Sequence, residues 1–183
     1  MANERVEVRI LALRHERPGG HAVDLVEMTF PMNAPGRSRR LSIFIGPLEA
    51  EAIRLGIEKR QLPRPLTHDL LQTAIDEMGY ELEFITIVDV VERVFHAELS
   101  LAPKDLAAGV GGSTTEPLRK IVIGCRPSDA LALAIRTNSP LFVNESVLST
   151  AGYEETEEAL GEDSVLAEFK DFIDNISPED FSE

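Results

Sequence analysis

Runs of alternating apolar and polar residues, interrupted by three helix starts, predict an α+β fold. A length of 183 residues with 43% apolar side chains predicts one domain rather than two. Charge divides the chain. Residues 151–183 hold 12 acidic residues against one basic residue, Lys170, a net of −11, whereas the first 150 residues hold 17 basic and 20 acidic groups, a net of −3. The expected organisation is therefore a domain over 1–150 followed by an acidic tail over 151–183.

Residues 6–13 alternate, Gly19 and Gly20 break the pattern, and 21–30 resume it, which reads as a hairpin. A loop is expected over 31–38. Leu41, Ile43 and Ile45 then alternate with Ser42 and Phe44 in a strand that stops at Gly46. Pro47 suits a first helical position, where its missing N–H would have no intrahelical partner, and 48–59 carries helix formers. Pro63 and Pro65 stiffen the next connection. Thr67 is expected as the N-cap of a second helix, with Asp69 in its first turn and Leu66 and Leu71 as a hydrophobic staple. The apolar face of that helix is Leu70, Leu71, Ala74, Ile75 and Met78, and Gly79 follows where a left-handed residue closes a helix.

Residues 81–89 and 93–101 read as strands. In the second, Phe95, Ala97, Leu99 and Leu101 face one way and His96, Glu98 and Ser100 the other. The stretch 103–117 contains Gly109, Gly111 and Gly112 but lacks the Gly-Lys-Ser/Thr ending of a phosphate loop, so it reads as a long hairpin connection. Residues 118–125 return as a strand. Arg126, Pro127, Ser128 and Asp129 open a third helix over 130–137, which is apolar almost all round and therefore expected to be buried. A short buried strand is expected at 141–143. In the tail, Leu166, Phe169, Phe172 and Ile173 fall on one face of a short amphipathic helix over 165–176.

No run approaches the roughly 18 apolar residues of a membrane-spanning helix, and residues 1–9 alternate charge instead of forming a signal core. A cytoplasmic location without a membrane partner is expected. The single cysteine, Cys125, has no second thiol for an internal disulfide or a zinc–thiolate cluster. A net charge of −14 opposes binding to nucleic acid, yet 37–64 holds seven basic residues against Glu49, Glu51 and Glu58, a local +4. Such a run is either a solvated face or a phosphate-facing patch.

Helix N-termini expose unpaired N–H groups, so the starts at Thr67 and Ser128 are candidate anion sites, and Arg64 and Arg126 stand ahead of them. In the alternative reading, Thr67, Asp69, Ser128 and Asp129 are caps, and the arginines bridge to carboxylates inside the fold. His68, beside Asp69, is the candidate proton shuttle, although adjacent helical residues point about 100° apart. Glu49 with Asp69 or Asp129 is the candidate carboxylate set for a divalent cation such as Mg2+ or Mn2+. His15, His21 and His96 fall on a turn and on strand faces and suggest no role.

Three blocks carry a family resemblance: Ile45, Gly46 and Pro47 with Glu49 and Ala50; Pro63 through Leu71; and Arg126 through Ala130 with Ala134 to Thr137. Together they closely resemble the bifunctional nuclease domain family, in order from about residue 6 to residue 148. The resemblance implies a mixed sheet with packed helices, a homo-oligomer and, for some members, cleavage of both RNA and DNA. At the motif positions the chemistry assigns His68, Asp69 and Asp129 as catalytic, Arg64, Thr67, Arg126 and Ser128 as phosphate-binding, and Glu49 with Asp69 as metal ligands. The expected function is a nuclease acting on phosphodiester bonds. The alternative is a non-catalytic oligomeric module that binds a small anion or a protein partner.

Overall fold

A computed structural model of the protein describes residues 4–16, 20–28, 38–60, 62–104 and 119–154. The chain divides after Tyr153 into a body, Met1–Tyr153, and a second unit, Glu154–Glu183. In order, the elements are β1 (Arg5–Glu16), β2 (Gly20–Glu27), β3 (Arg39–Ile45), α1 (Pro47–Ile57), α2 (Thr67–Glu77), β4 (Tyr80–Val91) and β5 (Val94–Pro103). They continue with β6 (Ile121–Cys125), α3 (Pro127–Thr137), β7 (Leu141–Asn144), α4 (Glu145–Ala151) and β8 (Tyr153–Glu154). The expected loop at 31–38 lies outside the described residues up to 37, the expected connection at 103–117 from 105 on, and the expected tail helix at 165–176 altogether.

The eight strands form one mixed sheet in the order β6-β5-β4-β7-β1-β2-β3-β8, so the fold is α+β. Hairpin neighbours pair antiparallel, while β4 and β7 pair parallel, Ile85 opposite Leu141 and Ile87 opposite Val143. Residues Ala22 to Val26 on β2 and Ile85 to Ile87 on β4 are buried consecutively, which means that both faces of the sheet are covered there. On β5 the alternation reads as expected, with Ala97, Leu99 and Leu101 buried and His96 exposed.

Helix α3 is the central helix. Ala130 to Ala134 are all buried, and the helix packs against α1, α2, β4 and β5. Fully burying Leu131 and Leu133 contributes about 2 kcal/mol each. Its end is set locally: Asn138 takes the left-handed conformation at φ 55°, and Pro140 prevents continuation. Gly79, at φ 80°, follows α2 in the left-handed conformation that its sequence position suggests.

Two local expectations change. Thr67 is the first helical residue of α2, and Leu66 takes the N-cap position, because the Asp69 carboxylate reaches back to accept the Leu66 N–H at 2.8 Å and leaves no need for a side-chain cap. On α2 only Ile75 is buried, while Leu70, Leu71 and Met78 remain exposed. The short helix α4 and strand β8 are additions to the expected elements. Arg39 on β3 ties α4 down, donating to Glu27 of β2 and, through Nη1 and Nη2, to Glu145 at 2.6 and 2.9 Å.

Candidate functional site

Helices α1, α2 and α3 each carry an acid at the third helical position: Glu49, Asp69 and Asp129. A carboxylate there complements the partial positive charge of the helix N-terminus. Pro47 and Pro127 open α1 and α3, and these two helices pack together, which brings their first turns side by side.

Arg126, the residue that precedes α3, joins these turns. Its Nε and Nη2 donate to Asp129 Oδ2 and Oδ1 at 2.9 and 3.1 Å, a two-pronged pair, and its Nη1 donates to Glu49 Oε1 at 2.9 Å. The two carboxylates raise the guanidinium pKa still further, although the side chain is 66% exposed. His68, one residue into α2, places Nε2 3.4 Å from Asp129 Oδ1. Four candidate residues from three helix starts therefore meet: Glu49, His68, Arg126 and Asp129.

Gly46 makes room for this arrangement. Its φ of −76° is ordinary, but a Cβ there would lie 2.4 Å from Glu49 Oε2, so the carboxylate folds back over a position that a side chain would occupy. Beside the cluster opens a cleft of about 310 Å³. Phe44, Phe95 and Val94 contribute apolar lining, and Arg93, Glu49 and Arg126 contribute charge.

The bifunctional nuclease domain matches residues 32–156 of this chain. The chain belongs to the bifunctional nuclease domain family. An uncharacterized protein of Mycobacterium tuberculosis is 37% identical over 182 residues, covering 96% of this chain and 97% of its own length. Bifunctional nuclease 2 of Oryza sativa subsp. japonica is 27% identical over 68% of this chain, and bifunctional nuclease 1 of Arabidopsis thaliana 25% identical over 79%. This chain spans only 35% and 42% of the lengths of those two plant proteins.

None of the remaining candidates hydrogen-bonds to this cluster, although Ser128 lines the cleft beside it. Asp69 gives one oxygen to the Leu66 N–H and the other to Arg136 Nε at 2.7 Å. Burial pushes its pKa up, but these two donors outweigh burial and hold the carboxyl below its ordinary value. Glu49 and Asp69 thus face different arginines, and among the described residues no three His, Cys, Asp or Glu side chains are grouped to hold a metal. Thr67 is exposed, Ser128 is buried, and neither makes a side-chain cap bond. Arg64 is exposed and makes no bond to the cluster.

Sequence reasoning missed Arg136, whose side chain is 8% exposed. The signal was available: a lone arginine on a helix apolar almost all round requires a buried acceptor. Also missed were Arg93 and Phe44, which only the tertiary fold brings to the cleft. Cys125, just ahead of Arg126, is half-buried, and burial first, then Asp129 and Glu98, push its thiol up to about 11. Among the described residues no helix is long and apolar enough to cross a membrane.

Proposed function

We propose that this chain hydrolyses phosphodiester bonds in RNA, DNA or both, at the cluster formed by Glu49, His68, Arg126 and Asp129. One observation carries the reading. Arg126 is held in place by two carboxylates yet remains largely exposed, beside a histidine–carboxylate pair. Of its five N–H donors, three are used in the cluster, and two remain to bind phosphate oxygens. The names of the plant relatives support the same chemistry.

In this reading Asp129 Oδ1 accepts a hydrogen bond from His68 Nε2–H, which assigns the tautomer and leaves Nδ1 as the free base. Water attacks phosphorus and its proton passes to Nδ1, and the bond to the leaving sugar oxygen breaks. That oxygen takes a proton from solvent water, and Nδ1 then releases its proton to solvent. Asp129 stabilises the imidazolium that forms, and Arg126 offsets the charge that develops on the phosphate. No step is routed through a divalent cation, because Glu49 and Asp129 are both engaged by Arg126.

A second reading is favoured by the saturation of the cluster. Arg126 pairs with both Glu49 and Asp129, Arg136 pairs with Asp69, and the network then does no more than pin three helix starts together. The exposed Leu70 and Leu71 on α2 and Met78 just after it suit such a module, one that associates with further copies of itself.

The test is cleavage of single- and double-stranded RNA and DNA with Mg2+, Mn2+ or chelator, alongside a His68→Ala variant whose fold is checked by circular dichroism. Cleavage that is lost in the folded variant supports the nuclease. Absence of cleavage from either protein leaves the oligomeric module, and full activity in the presence of chelator removes the expected cation.

A further inference from the structure

We propose that the cleft beside Arg126 receives a single unpaired nucleobase, which makes single-stranded RNA and DNA the substrate class; this rests on the nuclease reading above. At about 310 Å³ the cleft lies at the small end of ligand pockets. It has room for one base laid against its walls. A duplex would have to unstack and unpair a nucleotide to use it, whereas a single strand offers its bases already free.

The lining matches that occupant. Phe44 and Phe95 supply aromatic surface, and Phe44 is 68% exposed, so its ring is not consumed by the core. A base has an apolar face of either sugar type and any sequence, so stacking on phenylalanine recognises unpaired strands without reading their order. Arg93 and Arg126 add positive charge to the lining, which suits the phosphates on either side of the base.

The backbone at Arg93 is an independent sign of function. The β4–β5 hairpin turns on Glu92 and Arg93, both left-handed, at φ 50° and 67°. Two-residue turns of this kind strongly favour asparagine and glycine, because side chains resist φ above zero. Here the strained turn delivers Arg93 to the cleft. Glu49 and Arg126 belong both to the cleft and to the ion cluster. A phosphate bound at Arg126 therefore leaves its attached nucleoside beside the aromatic lining.

The experiment measures fluorescence anisotropy of labelled 12-mers with the full chain carrying His68→Ala, in chelator, so that binding is read without cleavage. Single-stranded RNA and DNA should bind about tenfold or more tightly than the matched duplexes, and an abasic strand should bind as weakly as a duplex. Phe44→Ala should weaken single-strand binding about tenfold and leave duplex binding unchanged, while Phe44→Tyr, which keeps the ring, should bind like its parent. Equal affinity for single strand and duplex, undiminished binding of the abasic strand, or indifference to Phe44→Ala overturns the base cleft. Cleavage by the chain with His68 intact is scored separately. Equal cleavage of duplex and single strand refutes the cleft and spares the nuclease, whereas single-strand-specific binding without cleavage refutes the nuclease and spares the cleft.

Discussion

Asp69 and Asp129 occupy the same third position of their helices but face different partners, Arg136 for the first and His68 with Arg126 for the second. The proposed reading therefore predicts different outcomes when each is replaced. Asp69→Ala removes the acceptor for the Leu66 N–H, worth about 1 kcal/mol as a cap. It also removes the partner of Arg136, a charged hydrogen bond of about 1.5–3 kcal/mol when buried. The Asp69 side chain is 40% exposed, so solvent screening brings that second figure nearer to 1 kcal/mol. The total is about 2 kcal/mol, which for a domain of this size lowers Tm by about 4–8 °C. Asp129→Asn keeps the shape and one acceptor oxygen, so Tm should move by no more than about 2 °C. It removes the charge that orients His68 and offsets the imidazolium, so kcat/KM should fall by about 100-fold or more. Differential scanning calorimetry and a single-strand cleavage assay on the same preparations report both effects. Asp69→Ala with unchanged Tm and no activity, or Asp129→Asn with wild-type activity, would refute the assignment.

Further outcomes follow from single contacts. Gly46→Ala adds a Cβ at 2.4 Å from Glu49 Oε2 without backbone strain, so it should displace that carboxylate from Arg126 and lower cleavage about tenfold while the far-ultraviolet circular dichroism spectrum stays unchanged. Arg39→Ala leaves Glu27 and Glu145 without the guanidinium that holds both carboxyls below their ordinary values. Depressed carboxyl pKa values stabilise the fold above the ordinary range near 4.3 and lose that contribution as pH falls through the folded values. The variant should therefore be about 1–2 kcal/mol less stable at pH 7, and urea midpoints from pH 5 to 3 should fall less steeply than in the parent. Cys125, with its thiol pushed up to about 11 against an ordinary 9.0, should react with a disulfide reagent at pH 8 about tenfold more slowly than a small thiol, because its lower thiolate fraction is partly offset by a more nucleophilic thiolate. Asp129→Asn should speed that reaction, because it removes one of the charges responsible, and a rate equal to that of the denatured chain would show that Cys125 is not shielded.

Much of the fold was legible residue by residue, because strand period, proline at helix starts and a left-handed glycine are preferences a short segment expresses by itself. The hairpin over β1 and β2, the buried character of α3 and the closure of α2 at Gly79 are of this kind. Thr67 misled because a hydroxyl residue ahead of a helix is a good cap in isolation, and only the reach of Asp69 back to Leu66 made it unnecessary. Helix α4 escaped notice because its seven residues are too short for a periodic signal, and Arg39, 106 residues away in sequence, anchors it.

Apart from α4 and β8, the sequence by itself determined which segments become strands and helices and which residue types stand at their ends, including the acids of α1, α2 and α3. The tertiary structure alone decided what those acids touch. Asp129 meets His68 across 61 residues, Glu49 meets Arg126 across 77, and Asp69 turns to Arg136 across 67. A carboxylate's helix position is written within one turn of chain, but its charged partner depends on which helices pack together, and that is settled only when the whole core is buried.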